Sequence, residues 1–289
     1  MNSKAGDVTI VIPAKNEAET LPALLSAIQS KLPEFKVLVV DDGSTDDTAA
    51  ICKKHGAKVI SLPYSLGNGG AVKTGVRSVK TRRLVLMDAD GQHSPEDILR
   101  LLERLDQGYD MVIGARGRES QANFGRATAN TIYNRLAGWM VGRNIPDLTS
   151  GFRAADTEKF REFLYLLPNG FSYPTTITMA FFRAGYSVDF LPITAGQRVT
   201  ASHISPLKDG VRFLLIIFRV GTLYSPLKIF FPLSVVFFLM GTVYYVYTYA
   251  FLNRFTNMGA VLFITSLLIF LIGLVSEQVT NLLYSRRND

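Results

Sequence analysis

Short runs of valine, isoleucine and leucine recur through the first part of the chain, each ending at a cluster of Pro, Gly, Asp or Ser, with stretches of helical spacing between them. The runs at 8–13, 37–41, 58–61, 84–88 and 111–115 predict strands, because they are too short for helices and rich in Val, Ile or Leu. The intervening segments at 17–30, 46–55, 69–79 and 95–106 predict helices. This β-α alternation predicts a Rossmann-like α/β domain whose mostly parallel sheet is covered on both faces.

The pattern changes from Phe213 onward, where Phe, Leu, Ile, Val and Tyr dominate. Residues 227–252 contain only Lys228 as a charge, at the edge of a run longer than the roughly 20 residues that cross a bilayer core. Residues 258–276 form a second uncharged run, followed by Glu277 and Gln278, with only 253–257 between the two. So short a link predicts a two-helix transmembrane hairpin with both ends on one side. Lys208, Arg212, Arg219, Lys228, Arg286 and Arg287 flank that side, against Arg254 alone in the loop, which predicts that it is cytoplasmic. Just before the hairpin, Phe213, Ile216, Ile217, Val220 and Tyr224 recur at helical spacing, opposite Lys208, Arg212 and Arg219. This stripe fits an interfacial amphipathic helix and equally a helix packed on the globular domain.

Composition adds little to this picture. The mean hydropathy of +0.19 agrees with a chain partly out of water, and a net charge of +7 suits an anionic membrane, a phosphorylated substrate or nucleic acid alike. The single cysteine, Cys52, has no disulfide partner in the chain, and the Met-Asn-Ser-Lys start leading into a strand lacks a signal-peptide core. The soluble part is expected to be cytoplasmic.

In parallel sheets, ligands sit beyond the carboxyl ends of the strands. The residues there are Pro13, Ala14, Lys15, Asn16 and Glu17, then Asp41, Asp42, Gly43 and Ser44, then Asp88, Ala89, Asp90, Gly91 and Gln92, and then Arg116. Converging carboxylates are costly without cations or donors, and a metal accounts for them economically. A dinucleotide fingerprint fails at Gly67–Val72, a P-loop fails after Gly75, and a calcium loop from Asp88 would place Leu99 where a bidentate carboxylate is needed. What remains is Asp88-x-Asp90 with Gln92, a set of hard oxygen donors suited to Mg2+ or Mn2+ that also holds substrate phosphates. None of His55, His93 and His203 forms an obvious dyad with a nucleophile, and His93, beside Ser94 and Pro95, reads as a turn residue.

Taken in order, Pro13-Ala-x-Asn-Glu17, Val40-Asp-Asp-Gly-Ser-Thr-Asp46 and Asp88-Ala-Asp-Gly-Gln-His93 resemble the family 2 GT-A glycosyltransferases. Gly67-Asn68-Gly69, Asp147-Leu-Thr-Ser-Gly-Phe-Arg153 and Arg198 before Ser202-His203 resemble the branch of dolichyl-phosphate mannosyltransferases and bacterial polyprenyl-phosphate glycosyltransferases. The resemblance implies a GT-A catalytic domain over 1–205, followed by a juxtamembrane helix at 206–225, the hairpin at 226–285 and a tail at 286–289. It also implies that Pro13, Ala14, Glu17, Asp41 and Asp42 hold the nucleoside, with Asp88 reaching the nucleotide. Asp88, Asp90 and Gln92 would hold the metal and diphosphate. Arg116, Arg126 and Arg198 match positions that contact acceptor or donor phosphate, and with Asp90 they form the expected catalytic set. Two positions depart from the pattern: Asn130, where serine can stand beside the acceptor phosphate, and His203, where lysine is frequent.

The implied reaction is inverting transfer of a hexose to a polyprenyl phosphate of the dolichyl or undecaprenyl type. The donor would be GDP-mannose, UDP-glucose or UDP-N-acetylglucosamine. A phosphomonoester with a second pKa near about 6 is already ionised at neutral pH, so no general base is required. The expected partners are nucleotide sugar, lipid and membrane, with no nucleic acid. A processive synthase would carry Gln-x-x-Arg-Trp, whereas the only tryptophan, Trp139, lies in Leu136-Ala-Gly-Trp. A transferase with a non-polyprenyl acceptor is disfavoured by the hairpin, and a noncatalytic scaffold by the intact Asp88, Asp90 and Gln92.

Overall fold

A computed structural model describes residues 5–117, 124–170, 172–194, 218, 221–222, 224–254 and 256–285, with 5, 124–130, 252 and 285 described as backbone only. The chain divides into two compact units, before and after residue 213.

In the first unit the strands are β1 (Val8–Ala14), β2 (Lys36–Asp41), β3 (Lys58–Ser61), β4 (Arg83–Leu86), β5 (Met111–Arg116), β6 (Arg153–Asp156) and β7 (Val188–Ile193). The helices are α1 (Leu21–Lys31), α2 (Thr48–Lys54), α3 (Asn68–Ser78), α4 (Pro95–Asp106), α5 (Phe124–Val141), α6 (Thr157–Arg161) and α7 (Tyr173–Arg183). Among the described residues the strands form one sheet in the order β3-β2-β1-β4-β6-β5-β7. All pairings are parallel except those of β6, which runs antiparallel between β4 and β5.

The sheet is covered on both faces, which is why its strands read as near-continuous apolar runs. Val8, Ile10, Ile12 and Ala14 join the core built with α1 and α4, while Val11, one pleat over, lies under Gly75 of α3. Cys52 is buried in the same core, where burial pushes its thiol up to about 11.

Several elements differ from the sequence expectation. Helix α1 begins at Leu21 rather than near Glu17, because the Glu17 carbonyl first closes a turn by accepting from the N–H groups of Thr20 and Leu21. Helix α2 begins at Thr48, whose N–H is held by the Asp46 carboxylate. Strand β4 stops at Leu86, so Asp88 lies in the segment beyond it. Strand β6, absent from the sequence reading, makes the sheet mixed; its Ala154 and Ala155 carry too little apolar pattern to announce a strand.

The second unit contains α8 (Leu227–Leu252) and α9 (Asn257–Ser285), both long and apolar enough to cross a membrane. Their contact uses small residues: Gly241 lies against Leu262 and Phe263, and the Ser266 hydroxyl donates to the Ser234 carbonyl at 2.8 Å. Asn253, in the left-handed region at φ 47°, closes α8, and Glu277 accepts from Leu227 N–H (3.2 Å) and Ser225 Oγ (3.0 Å) at its start. Outer residues such as Val243 and Val275 are exposed, which a buried hairpin of a soluble core would not allow. The expected juxtamembrane helix lies outside the described residues apart from isolated positions, and the tail at 286–289 lies wholly outside them.

Candidate functional site

The strand order brings the expected residues to one edge. Ala14 pairs with Asp41 across β1 and β2, and Met87 N–H donates to Val11 O, so the Asp88 segment leaves the sheet beside the end of β1. Arg116 ends β5, two strands from β4 because β6 intervenes. An antiparallel strand starts where its parallel neighbours end, so the approach to β6, residues 147–152, also reaches this edge.

The first wall is a braced pair of loops. Asn16, at φ 55°, accepts Thr45 N–H through Oδ1 (2.8 Å), while its own N–H donates to Ser44 Oγ (3.0 Å). Glu17 N–H donates to Thr48 Oγ1, and Ala18 N–H to Asp46 Oδ2. These bonds hold Pro13, Ala14 and Glu17 against the Asp41 turn. Asp41 accepts from Ser44 N–H at 2.9 Å. Asp42 receives three donors from one loop: Leu66 N–H at 2.7 Å, Gly67 N–H at 3.0 Å and Ser65 Oγ at 2.6 Å. Gly67 takes φ 88°, and a Cβ there would lie 2.6 Å from Asn169 O. The glycine-rich motif therefore permits close backbone packing.

The second wall carries the acidic pair. Asp88 and Asp90 both act electrostatically on Arg116, so the three share one field. Burial opposes charge on Asp88, but the neighbouring His93 and the Arg116 and Arg153 charges hold it below the usual carboxylate range. Gln92 N–H donates to Asp90 Oδ1 at 3.2 Å, closing the Asp-x-Asp turn. His93 does more than occupy a turn: it is buried, stacks on Phe152 with centroids 4.7 Å apart, and brings Nε2 to 3.7 Å from Asp88 Oδ2. Opposite, Gly151 leaves room for the same carboxylate, since a Cβ there would lie 2.7 Å from Asp88 Oδ2.

Arg116 is an ion-paired group. Its Nε donates to Asp147 Oδ2 at 2.8 Å, and its Nη2 to Asp147 Oδ1 at 3.2 Å and Thr149 Oγ1 at 2.8 Å. Burial opposes the charge of each partner, yet pairing raises the Arg116 pKa and lowers that of Asp147. Asn134 of α5 fixes this loop, accepting Leu148 N–H at 3.0 Å and donating to Pro146 O at 2.6 Å. Arg153 is fully buried and donates to Pro174 O, Thr178 Oγ1 and Ser150 O. Burial pushes its pKa down to about 10, against the opposing influence of Tyr173, Asp147 and Asp88, so it remains a cation at neutral pH.

Sequence reasoning missed the bracing by Ser44, Asp46 and Thr48, the stapling by Asn134, and the Gly151 and Phe152 contacts to Asp88 and His93. The Asp147-to-Arg153 motif was the available signal. Arg126 and Asn130 lie on α5 with side chains outside the description, and Arg198 and His203 lie outside the described residues. A cleft of about 820 Å³ opens beside Arg116, between α5 and the ends of β5 and β7, and Arg135 and Arg143 also line it.

Among the described residues no group of three His, Cys, Asp or Glu side chains is arranged to hold a metal. Asp88 and Asp90 with Gln92 instead suit a small hard cation that keeps waters and substrate phosphates in its shell. Gly151 lets the Asp88 carboxylate take up this position, and the lowered pKa of that carboxylate keeps it charged, as a ligand for such an ion must be.

Residues 9–164 match the family described as Glycosyl transferase family 2, and residues 225–282 match the GtrB C-terminal hairpin. Glycosyltransferase AglJ of Haloferax volcanii is 31% identical over 232 residues, covering 77% of this chain and 75% of that protein. The undecaprenyl-phosphate mannosyltransferase of Micrococcus luteus is 35% identical over 208 residues, covering 66% and 84%. Among solved structures, glucosyl-3-phosphoglycerate synthase from Mycobacterium tuberculosis, in complex with Mn2+, UDP and phosphoglyceric acid, superposes with a TM-score of 0.58. That match is 22% identical and covers 74% of this chain and 77% of the other, a likeness of fold.

Proposed function

The chain belongs to glycosyl transferase family 2, and from that premise we propose that it transfers one hexose from a nucleotide diphosphate sugar to a polyprenyl phosphate with inversion at the anomeric carbon. The observation that carries this reading is the pairing, in one chain, of a carboxylate-and-arginine crevice with a hairpin of the GtrB type. The Micrococcus luteus relative supports a polyprenyl acceptor and makes GDP-mannose the first donor to test, before UDP-glucose and UDP-N-acetylglucosamine.

Pro13, Ala14, Glu17, Asp41 and Asp42 form the nucleoside wall. Because Asp42 is committed to residues 65–67, it acts by shaping that wall. Asp88, Asp90 and Gln92 would hold Mg2+ or Mn2+, which supplies charge neutralisation on the diphosphate as the sugar bond breaks. Arg116, kept charged and oriented by Asp147, faces anionic phosphate, with Arg126, Arg198 and Asn130 as its partners on the acceptor. The acceptor phosphate attacks the anomeric carbon from the side opposite the nucleotide, and its own ionisation makes a protein base unnecessary. The excess of Lys and Arg on one side of the hairpin supports a cytoplasmic catalytic domain with both termini on that side.

The test is transfer of labelled sugar by the purified full chain to polyprenyl phosphate, with each donor in turn and with Mg2+, Mn2+ or chelator. Asp90→Ala should remove most transfer while leaving thermal unfolding unchanged. Transfer only to protein or free glycan would reject the acceptor, and wild-type turnover in Asp90→Ala would reject the metal site.

A further inference from the structure

Among the described residues, Arg153 is the largest side chain that the fold buries completely, and it is a cation. The oxygens it donates to are all neutral: Nη1 reaches Pro174 O and Thr178 Oγ1, both at 3.1 Å, and Nη2 reaches Ser150 O. Its buried Nε has no partner among the described residues, and nearby Asp147 is committed to Arg116. A methionine would fill this place without the cost of burying a charge, so packing does not explain the guanidinium.

Position supplies the reason. The sheet register sets Arg153 beside Leu86 and Ile113, two residues before Asp88 and three before Arg116. Its neighbours Gly151 and Phe152 back onto the Asp88 carboxylate and the His93 ring, and Arg153 and Asp88 act on each other electrostatically. Asp88, Asp90 and Asp147 outnumber Arg116 and Arg153 by one charge, and would outnumber Arg116 alone by two. Among the described residues no group of three His, Cys, Asp or Glu side chains is arranged to hold a metal, so a divalent ion here needs phosphate oxygens to complete its shell. Resting on the reading of Asp88, Asp90 and Gln92 as the seat of metal and diphosphate, we propose that Arg153 is a positioning residue that acts by charge. From behind the 150–152 segment it offsets part of the Asp88 and Asp90 field, so that the crevice takes a divalent cation together with a nucleotide diphosphate rather than bare. A buried cation repels bare Mn2+ and attracts a diphosphate, and salt screens neither effect well at a buried site.

The test is binding by the purified full chain in detergent, with Mn2+ followed by electron paramagnetic resonance and metal-free GDP or UDP by calorimetry. Arg153→Met should bind bare Mn2+ about tenfold more tightly than the wild-type chain, and metal-free nucleotide about tenfold more weakly. Thr178→Asp sets a carboxylate against Arg153 Nη1 and leaves the guanidinium in place, and it should shift both affinities in the same directions. Arg153→Lys keeps the charge and should stay near wild type. Opposite shifts are the signature of charge, because a variant that only loosened the fold would weaken both ligands. Weakening of both in Arg153→Met and Thr178→Asp, or a change in neither, would overturn the proposal, as would an Arg153→Lys chain that behaves like Arg153→Met. If Arg153→Met does not fold, Thr178→Asp decides alone. A wild-type chain that binds no Mn2+ even with GDP or UDP would reject the metal site itself, and the proposal with it.

Discussion

Replacing Gly151 with alanine tests how the acidic pair is positioned. The added Cβ would lie 2.7 Å from Asp88 Oδ2, 2.9 Å from Oδ1 and 3.1 Å from Cγ. An unstrained carbon-oxygen contact is about 3.4 Å, so the carboxylate must retreat by about 0.7 Å or the 150–153 segment must move instead. The segment is the stiffer partner, because Phe152 and Arg153 are fully buried and Arg153 is held by three oxygens. Asp88 is the half-buried partner and yields. A catalytic group displaced beyond about 0.5 Å leaves its productive geometry, and about 1 Å costs on the order of 100-fold. Gly151→Ala should therefore lower kcat/KM by about 10- to 100-fold, equivalent to about 1.4 to 2.7 kcal/mol of transition-state stabilisation. The assay is initial transfer rate against Mn2+ concentration, with thermal unfolding in parallel. The apparent metal requirement should rise while Tm barely moves. Gly170→Ala, where a Cβ meets nothing within 4 Å, should behave as wild type. Unchanged rate and metal dependence in Gly151→Ala would refute the claim that this glycine positions Asp88.

Three further outcomes follow from the same geometry. Asn134→Ala removes both bonds between α5 and the 146–148 loop, and should cost about 2 kcal/mol of stability by thermal unfolding together with a fall in kcat as Asp147 loses its register on Arg116. Asp147 has a folded pKa below its unfolded value near 3.9, so its contribution is present above about pH 4 and is lost as pH falls through the folded pKa. In unfolding measured across pH, the deficit of Asp147→Asn should be largest near neutrality and shrink below about pH 4. Glu277→Ala removes the acceptor for Leu227 N–H at the start of α8 and should cost about 1 kcal/mol in the hairpin, read as earlier thermal unfolding in detergent.

Features set by neighbours in sequence were legible in advance. Residues 58–61 and 95–106 coincide with β3 and α4, because a β-rich run closed by turn residues, or Ser94-Pro95 before an amphipathic stretch, carries its signal within a few residues. The apolar spans were legible for the same reason: length and uniformity of composition need no partner. The Asp-x-Asp turn and Arg116 at a strand end were likewise local features, placed at the correct edge by β-α alternation.

What depended on distant pairs was not legible. No local pattern marks Arg153-Ala-Ala-Asp156 as an antiparallel strand between β4 and β5, since its register is set by the strands it joins. That insertion carries Gly151 to Asp88, Phe152 to His93 and Asp147 to Arg116. It turns the arginine at the end of β5 into the half-buried, bidentate partner of a carboxylate. The same holds for Asp42, whose three donors come from residues 65–67, and for Asn134, whose partners are Pro146 and Leu148. The sequence by itself determined which chemical groups stand at the strand ends and that two helices could span a bilayer. The tertiary structure decided which of those groups are already committed to each other, because a hydrogen bond or ion pair forms only where the fold brings donor and acceptor within about 3 Å.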